Sequence, residues 1–256
     1  MLTSTKALLE KAQTYSYAVG AFNLYNLEGA KAVVNAAEAD NSPAIIQILP
    51  HILKYGGSPL IALFLEAADS ASVPMSVHLD HCEDPAIIET ALKAGIQSVL
   101  ADGSKFSYSE NLTFTREMTA LAHAKGTTVE AEIGRISGTE DGMTVAEKEA
   151  KMTDPDQAKE FVSASGVDFL AVTIGNVHGQ YYSEPRLDFE RLAQVRQRLQ
   201  IPLVLHGASG LPALMIQRSI ELGVCKFNVN TEVRQKYLCV DPSDVVKNNE
   251  SATSGV

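Results

Sequence analysis

Residues 75–102 read MSVHLDHCEDPAIIETALKAGIQSVLAD. Met75–Asp80 is almost continuously apolar, the composition of a strand buried on both faces. Asp84-Pro85 then opens a helix, with Asp as N-cap and Pro at the first helical position. That helix stops at Gly95, and a second apolar run, Ser98–Asp102, follows. The stretch is one β-α-β unit. The same alternation extends outward in both directions, with strands expected at Ala18–Asn23, Ala44–Leu49, Thr128–Gly134, Phe169–Gly175, Pro202–Gly207 and Cys225–Asn230. Helices are expected at Leu27–Ala39, Leu60–Ser70, Phe189–Leu199 and Pro212–Leu222. Asp154-Pro155 repeats the helix-start signal, and that helix stops at Gly166. Eight strands, each followed by a crossover, predict an α/β fold of the (β/α)8 TIM-barrel type rather than an open doubly wound sheet. No G-x-G-x-x-G follows the first strand, which argues against a dinucleotide-binding domain.

Three further features surround this frame. A helix over Thr5–Gln13 precedes the first strand and is placed to plug the barrel's bottom. Ile136–Lys151 reads as a long irregular loop just beyond strand five, and a loop of that length in a compact domain is more often functional than idle. After strand eight, Thr231–Leu238 forms only a short last helix, which leaves one side of the barrel poorly covered. The domain is therefore drawn as residues 1–238, with 239–256 polar, aperiodic and read as a disordered tail.

The chain has 256 residues, of which 45% are hydrophobic, enough for a sizeable core. Its net charge of −10, with no basic stretch, argues against nucleic acid or a membrane surface as partner. The cysteines, Cys82, Cys225 and Cys239, are odd in number and have no paired spacing, which suits a reducing compartment. No apolar run is long enough to span a bilayer, and the N-terminus lacks a signal peptide's pattern. The location expected on these grounds is the cytoplasm.

The polar residues of the strands favour one end. Asn23, Asp80, His81, Asp102, Glu132, His178, His206 and Asn228 all lie at or just past a strand's C-terminal end, the rim from which barrel enzymes build their sites. Taken singly, each histidine is as readily a helix cap, a core residue or a solvated side chain. Three at strand ends beside Gly or Asp point to one metal ion, since catalytic zinc has three protein ligands and an open fourth position. His78 shares the parity of Asp80 and is expected to pack inside the barrel; His51 and His123 read as loop and helix-surface residues. Asp80 is placed either to move a proton of a substrate hydroxyl or to hold a ligand's ring N–H. Glu132 is a further ligand or a support for one. Glu130, of the same parity, is its alternative, and Asp102 shares the ambiguity.

Gly207, Ser209 and Gly210 form a small turn after strand seven whose backbone N–H groups suit a phosphate, with Asn230 and Thr231 completing the cradle. An ordinary strand-to-helix turn needs the same glycines. Glu140, between Gly138 and Gly142, is either a solvated loop carboxylate or a group that swings over the site.

VHLDHC, AEIG followed by GTEDG, IGNVHG, VLHGASG and CKFNVNTE together resemble the class II ketose-bisphosphate aldolases, from YAVGAFN at residues 17–23 to Thr231. The resemblance implies a metal-dependent lyase that cleaves fructose or tagatose 1,6-bisphosphate into dihydroxyacetone phosphate and glyceraldehyde 3-phosphate through an enediolate. It implies Zn2+ on His81, His178 and His206, with Glu132 an alternative ligand position. Asp80 then moves the C4 hydroxyl proton, Glu140 is the flexible-loop acid/base, and Asn228 steadies the enediolate. Gly179, Gly207, Ser209, Asn230 and Thr231 fall on phosphate-loop positions, where a monovalent cation (Na+ or K+) often sits. A homo-oligomer, dimer or tetramer, is implied. The likeness departs in two places. Lys105 stands where related sequences often have His, and the helices that follow the barrel in related sequences have no counterpart here. That second departure gives a C-terminally truncated member. It also motivates the competing expectation of a non-catalytic zinc- or phosphosugar-binding homologue or partner subunit. Another barrel metalloenzyme, such as an epimerase or hydrolase, fits the GTEDG and NVNT segments less well.

Overall fold

The structure, a computed structural model, describes residues 1–140, 143–145 and 151–239. Eight parallel strands close into a barrel in chain order: β1 (Val19–Asn23), β2 (Ala44–Ile48), β3 (Met75–Cys82), β4 (Ser98–Ala101), β5 (Thr128–Ile133), β8 (Phe169–Val172), β10 (Leu203–Leu205) and β11 (Val224–Val229). Closure is made by β1, in which Ala21 lies between Ile45 of β2 and Asn228 of β11. The expected (β/α)8 barrel is the observed one. Nearly every strand residue is buried, as the continuous apolar runs require.

The helix signals act as the local chemistry dictates. In α4 (Pro85–Lys93) the Asp84 side chain accepts from the Ala86 N–H; in α6 (Pro155–Ser165) Asp154 accepts from the N–H groups of Asp156 and Gln157. The crossover between β4 and β5 is α5 (Tyr108–His123), held by a capping box between Ser107 and Glu110. α2 (Leu27–Ala39) has its expected bounds, and α7 (Phe189–Arg198) and α8 (Ala213–Glu221) differ from expectation only at their ends.

Two stretches depart from expectation. The helix expected from Leu60 is the second half of α3 (Pro50–Ser70), which begins ten residues earlier and kinks at Gly57, so His51 lies in a helical first turn and not a loop. The kink lets Pro59 sit within the span, because a helix restarting there needs no N–H from its first residues. The stretch Ile136–Lys151 is not wholly irregular. It contains β6 (Ser137–Glu140) and β7 (Met143–Val145), paired antiparallel, and β6 also pairs in parallel with β9 (Val177–His178). Their cue is non-local: the two-residue strand that completes the ladder is contributed by the segment after β8. The tail read as disordered lies, from residue 240 onward, outside the described residues.

The barrel has an apolar floor and a polar upper half. Leu8, Leu9 and Ala12 of α1 (Thr5–Tyr15) pack with Val19, Ile45, Phe169 and Val204 at the strands' N-terminal end. The Thr5 hydroxyl reaches Ser98 Oγ at 2.8 Å. The expected plug is therefore present. Leu9 is fully buried, so Leu9→Ala is expected to cost about 2–5 kcal/mol of stability. A lower urea midpoint with unchanged metal binding is the check, since the plug lies at the end opposite the histidines. On the outer side, α9 (Thr231–Leu238) buries none of its residues. Among the described residues a groove of about 970 Å3 runs between it and α2 over β1. Among the described residues no helix is long and apolar enough to cross a membrane.

Candidate active site

Strand parity turns Asp80 inward with His78, and a left-handed backbone at His81 (φ 44°), where the β3–β4 register shifts, brings the next side chain to the same rim. His81 is the penultimate residue of β3, His178 ends β9, and His206 follows β10. Ligand atoms of the three lie within 4.8 Å of one another. Ring centroids are 4.7 Å apart for His81 and His206, 5.1 Å for His81 and His178, and 6.0 Å for His178 and His206. A second set with the same spacing, His81 with Asp102 and Glu132, shares one imidazole with the first.

The supports of these rings decide which nitrogen faces inward. His81 Nδ1 contacts Asp102 Oδ2 at 2.7 Å, and His206 Nε2 contacts Glu130 Oε1 at 2.8 Å. A carboxylate only accepts, so each of those nitrogens carries hydrogen, and the other nitrogen of the ring is the one that offers a lone pair once it is deprotonated. His206 Nδ1 and Glu132 Oε2 are buried with no hydrogen-bond partner among the described residues, 3.3 Å apart. Two orphaned buried donor atoms beside two more imidazoles are costly in an apolar interior unless something cationic binds them. The residues present fit a zinc-type ion with N and O ligands.

The charge balance agrees. Burial pushes His81 down, but the Asp80 carboxylate and the Asp102 hydrogen bond carry it up to about 10. Burial likewise opposes, and the Glu130 hydrogen bond, with the Glu132 carboxylate 3.3 Å away acting in the same sense, outweighs it in raising His206. Burial, with His81 and His206 adding repulsion, holds His178 well below its ordinary value. The carboxylates therefore draw positive charge to the trio even without an ion.

Asp80 sits beside the histidines, 4.0 Å from His81 Nε2. It accepts from Asn23 Nδ2 at 2.9 Å and from Asn228 Nδ2 at 3.1 Å. Burial raises its carboxyl, and the positive charge of His81, His206 and Lys226 outweighs that, so it stays below the ordinary value and ionised. Burial drives the Glu132 carboxyl up. Glu130 is a support rather than an exposed ligand, held between His206 and Lys226 Nζ. His78 packs inside the barrel as expected, against Ser98 Oγ at 2.7 Å; burial, reinforced by Lys226, pushes it down to about 3.

The phosphate candidates come together from two segments. Ala208 N–H donates to Asn228 O at 3.2 Å, and Glu232 N–H donates to Ser209 Oγ at 3.3 Å. Gly210 N–H donates to the Glu232 carboxylate, and Asn230 Oδ1 accepts from the Tyr25 hydroxyl at 2.7 Å. The Gly207–Gly210 turn is thus bound to the start of α9, where Thr231 lies. Gly179 directly follows His178 with φ 89°. The backbone of Glu140 is in β6, and its side chain lies outside what the structure describes. Lys105 reaches Glu83 at 3.3 Å.

Two residues escaped the sequence. Lys226 is a fully buried cation in β11; its signal was a lysine two residues before Asn228, on the same strand parity, inside an apolar run. The Tyr181 hydroxyl accepts from Val177 N–H and donates to Gly207 O, both at 3.0 Å, so it clamps β9 to the turn after β10. Nothing local to the sequence announced that clamp.

The sequence model of the class II fructose-bisphosphate aldolases matches residues 3–250, a span that includes most of the stretch read as a disordered tail. A protein of Coccidioides immitis assigned as a fructose-1,6-bisphosphate aldolase superposes with a TM-score of 0.88 at 41% identity, covering 91% of this chain and 83% of that one. The YdjI aldolase of Escherichia coli K12 gives 0.84 at 37% identity, covering 98% and 88%. The fructose-bisphosphate aldolase of Campylobacter jejuni, at 24% identity and a TM-score of 0.77, covers 93% and 79% and bears on the fold alone. A barrel with this rim, matched by the family over nearly its whole length, belongs to the class II fructose-bisphosphate aldolases, and the chain is an aldolase, a carbon–carbon lyase of carbohydrate metabolism.

Proposed function

We propose that this aldolase is zinc-dependent and cleaves a ketose 1,6-bisphosphate, of the fructose or tagatose type, into dihydroxyacetone phosphate and glyceraldehyde 3-phosphate. The observation that carries the reading is the convergence of His81, His178 and His206 within 4.8 Å beside an ionised, doubly hydrogen-bonded Asp80. When bound by the three histidines, with Glu132 as an alternative ligand, zinc supplies Lewis-acid stabilisation of the negative charge that develops on the departing three-carbon fragment.

The remaining work falls to the chain's own residues. Asp80 takes the proton of the C4 hydroxyl as the C3–C4 bond breaks, and the C4 carbon leaves as an aldehyde. The electron pair stays on C3 of the other fragment, an enediolate steadied by the Asn228 amide N–H. Glu140 returns a proton to that carbon. Backbone N–H groups of Gly207 and Ser209, with Gly179, Asn230 and Thr231, hold one phosphate and so fix the sugar's register. No lysine Schiff base is needed.

The test is a coupled assay on both sugar bisphosphates with chelator-treated and zinc-restored protein. Cleavage should vanish on chelation and return with zinc at one per chain. Turnover insensitive to chelation would sink the zinc reading. A zinc-loaded chain that binds dihydroxyacetone phosphate without turnover would favour a non-catalytic homologue.

A further inference from the structure

Lys226 is the one buried ammonium among the described residues, fully enclosed within the barrel. A lysine head group carries three donors and no acceptor. It spends two of them at 2.8 Å, one on Glu130 Oε2 and one on Asn228 Oδ1. Each contact has a directional consequence. With its carbonyl oxygen held by Lys226, the Asn228 amide must turn its NH2 the other way, and that NH2 donates to Asp80 Oδ1 at 3.1 Å. With one oxygen of Glu130 on Lys226, the other takes His206 Nε2–H at 2.8 Å. The His206 lone pair then lies on Nδ1, facing the site. His78, 3.8 Å from Glu130, stands aside as a neutral ring. A buried, unbroken line therefore runs His206–Glu130–Lys226–Asn228–Asp80, joining a metal-ligand candidate to the proton carrier.

We propose that Lys226 is a positioning residue that sets two hydrogen-bond directions at once: the Asn228 amide toward Asp80 and, through Glu130, the His206 ring with Nδ1 toward the metal site. This rests on the zinc-aldolase reading above. Lys226 touches neither metal nor substrate. A lysine present only to neutralise Glu130 would leave Asn228 indifferent to its removal once Glu130 is also made neutral, and would leave His206 as it is in Glu130→Gln alone.

The variant that separates the two is Lys226→Met/Glu130→Gln, which removes the charges as a pair and so avoids a stranded buried carboxylate. In the folded, zinc-loaded double variant kcat should fall at least tenfold with KM within about twofold, since Asn228 is no longer forced to face Asp80. The zinc dissociation constant, measured by chelator competition, should rise about 10–100-fold, the usual effect of losing a ligand's support. Long-range 1H–15N spectra of the zinc-loaded protein should show a single Nε2–H form of His206 in the parent and lose it in the variant. If the double variant does not fold, Lys226→Gln is measured in the same three ways.

Parent-like kcat, zinc affinity and His206 tautomer in either folded variant would overturn the proposal. Failure of the parent to cleave either sugar bisphosphate would instead overturn the zinc-aldolase reading. Zinc affinity and tautomer would then still decide the role of Lys226.

Discussion

Asp80→Ala should lower kcat by about 10²–10⁴-fold, the range that a positioned acid–base group contributes, while zinc remains bound at the parent stoichiometry. The separation of the two readouts follows from the geometry. Asp80 Oδ1 is 4.0 Å from His81 Nε2, too far for a hydrogen bond, whereas His81 is oriented by Asp102 on its other nitrogen at 2.7 Å. Removing the Asp80 carboxylate therefore leaves the support of the ring intact.

The carboxylate's own environment suits proton removal. Two amide NH2 groups and nearby positive charge keep it ionised although it is buried, so it is a base at neutral pH without prior deprotonation. Asp80→Asn should behave like Asp80→Ala, since it keeps the shape and loses the basicity. Loss of zinc together with activity in both variants would make Asp80 a structural member of the metal site. A fall in kcat of less than tenfold would remove it from the proton transfer.

Much of this site was legible because barrel chemistry is written locally. The strand β3 announces itself by a run of buried residues, and its candidate chemistry sits where that run meets Asp84-Pro85, so one stretch of sequence locates both the rim and two candidate site residues. The same holds for His206 ahead of its Gly turn. What was not legible depends on contacts far apart in the chain. Glu130 and Lys226 are 96 residues apart and each, alone, looks like an error in an apolar strand; only closure of the barrel makes them a pair. The Tyr181 clamp and the ladder between β6 and β9 are likewise tertiary, and short strands with no hydrophobic alternation carry no periodic signal. The ambiguity between ligand and support narrows in the same way. Asp102 and Glu130 each bind the far nitrogen of an imidazole, a distinction of side-chain direction that spacing does not encode.

Gly207→Ala is expected to disable the site through a single methyl group. Gly207 has φ 62°, where an L-residue costs about 1–2 kcal/mol. The larger penalty is steric. A Cβ at this position would lie 2.2 Å from the carbonyl oxygen of Val177 and 2.8 Å from its carbon, and both atoms are backbone. No rotamer relieves that overlap; either the turn after β10 or the β9 segment must move. Val177 immediately precedes His178 and Gly207 immediately follows His206, so the displacement reaches two of the three imidazoles at once. It also strikes the Tyr181 bridge, which binds Val177 N–H and Gly207 O. A shift of about 1 Å in such a site costs on the order of 10²-fold in rate, and kcat/KM and zinc affinity should fall together. Gly95→Ala is the control. Gly95 also has positive φ, at 87°, but an added Cβ there meets nothing within 4 Å. It should lose a comparable amount of stability from backbone strain and keep its zinc and its turnover. If Gly207→Ala merely matches Gly95→Ala, with metal and activity retained, β9 and the turn after β10 are not the rigid couple that holds His178 against His206.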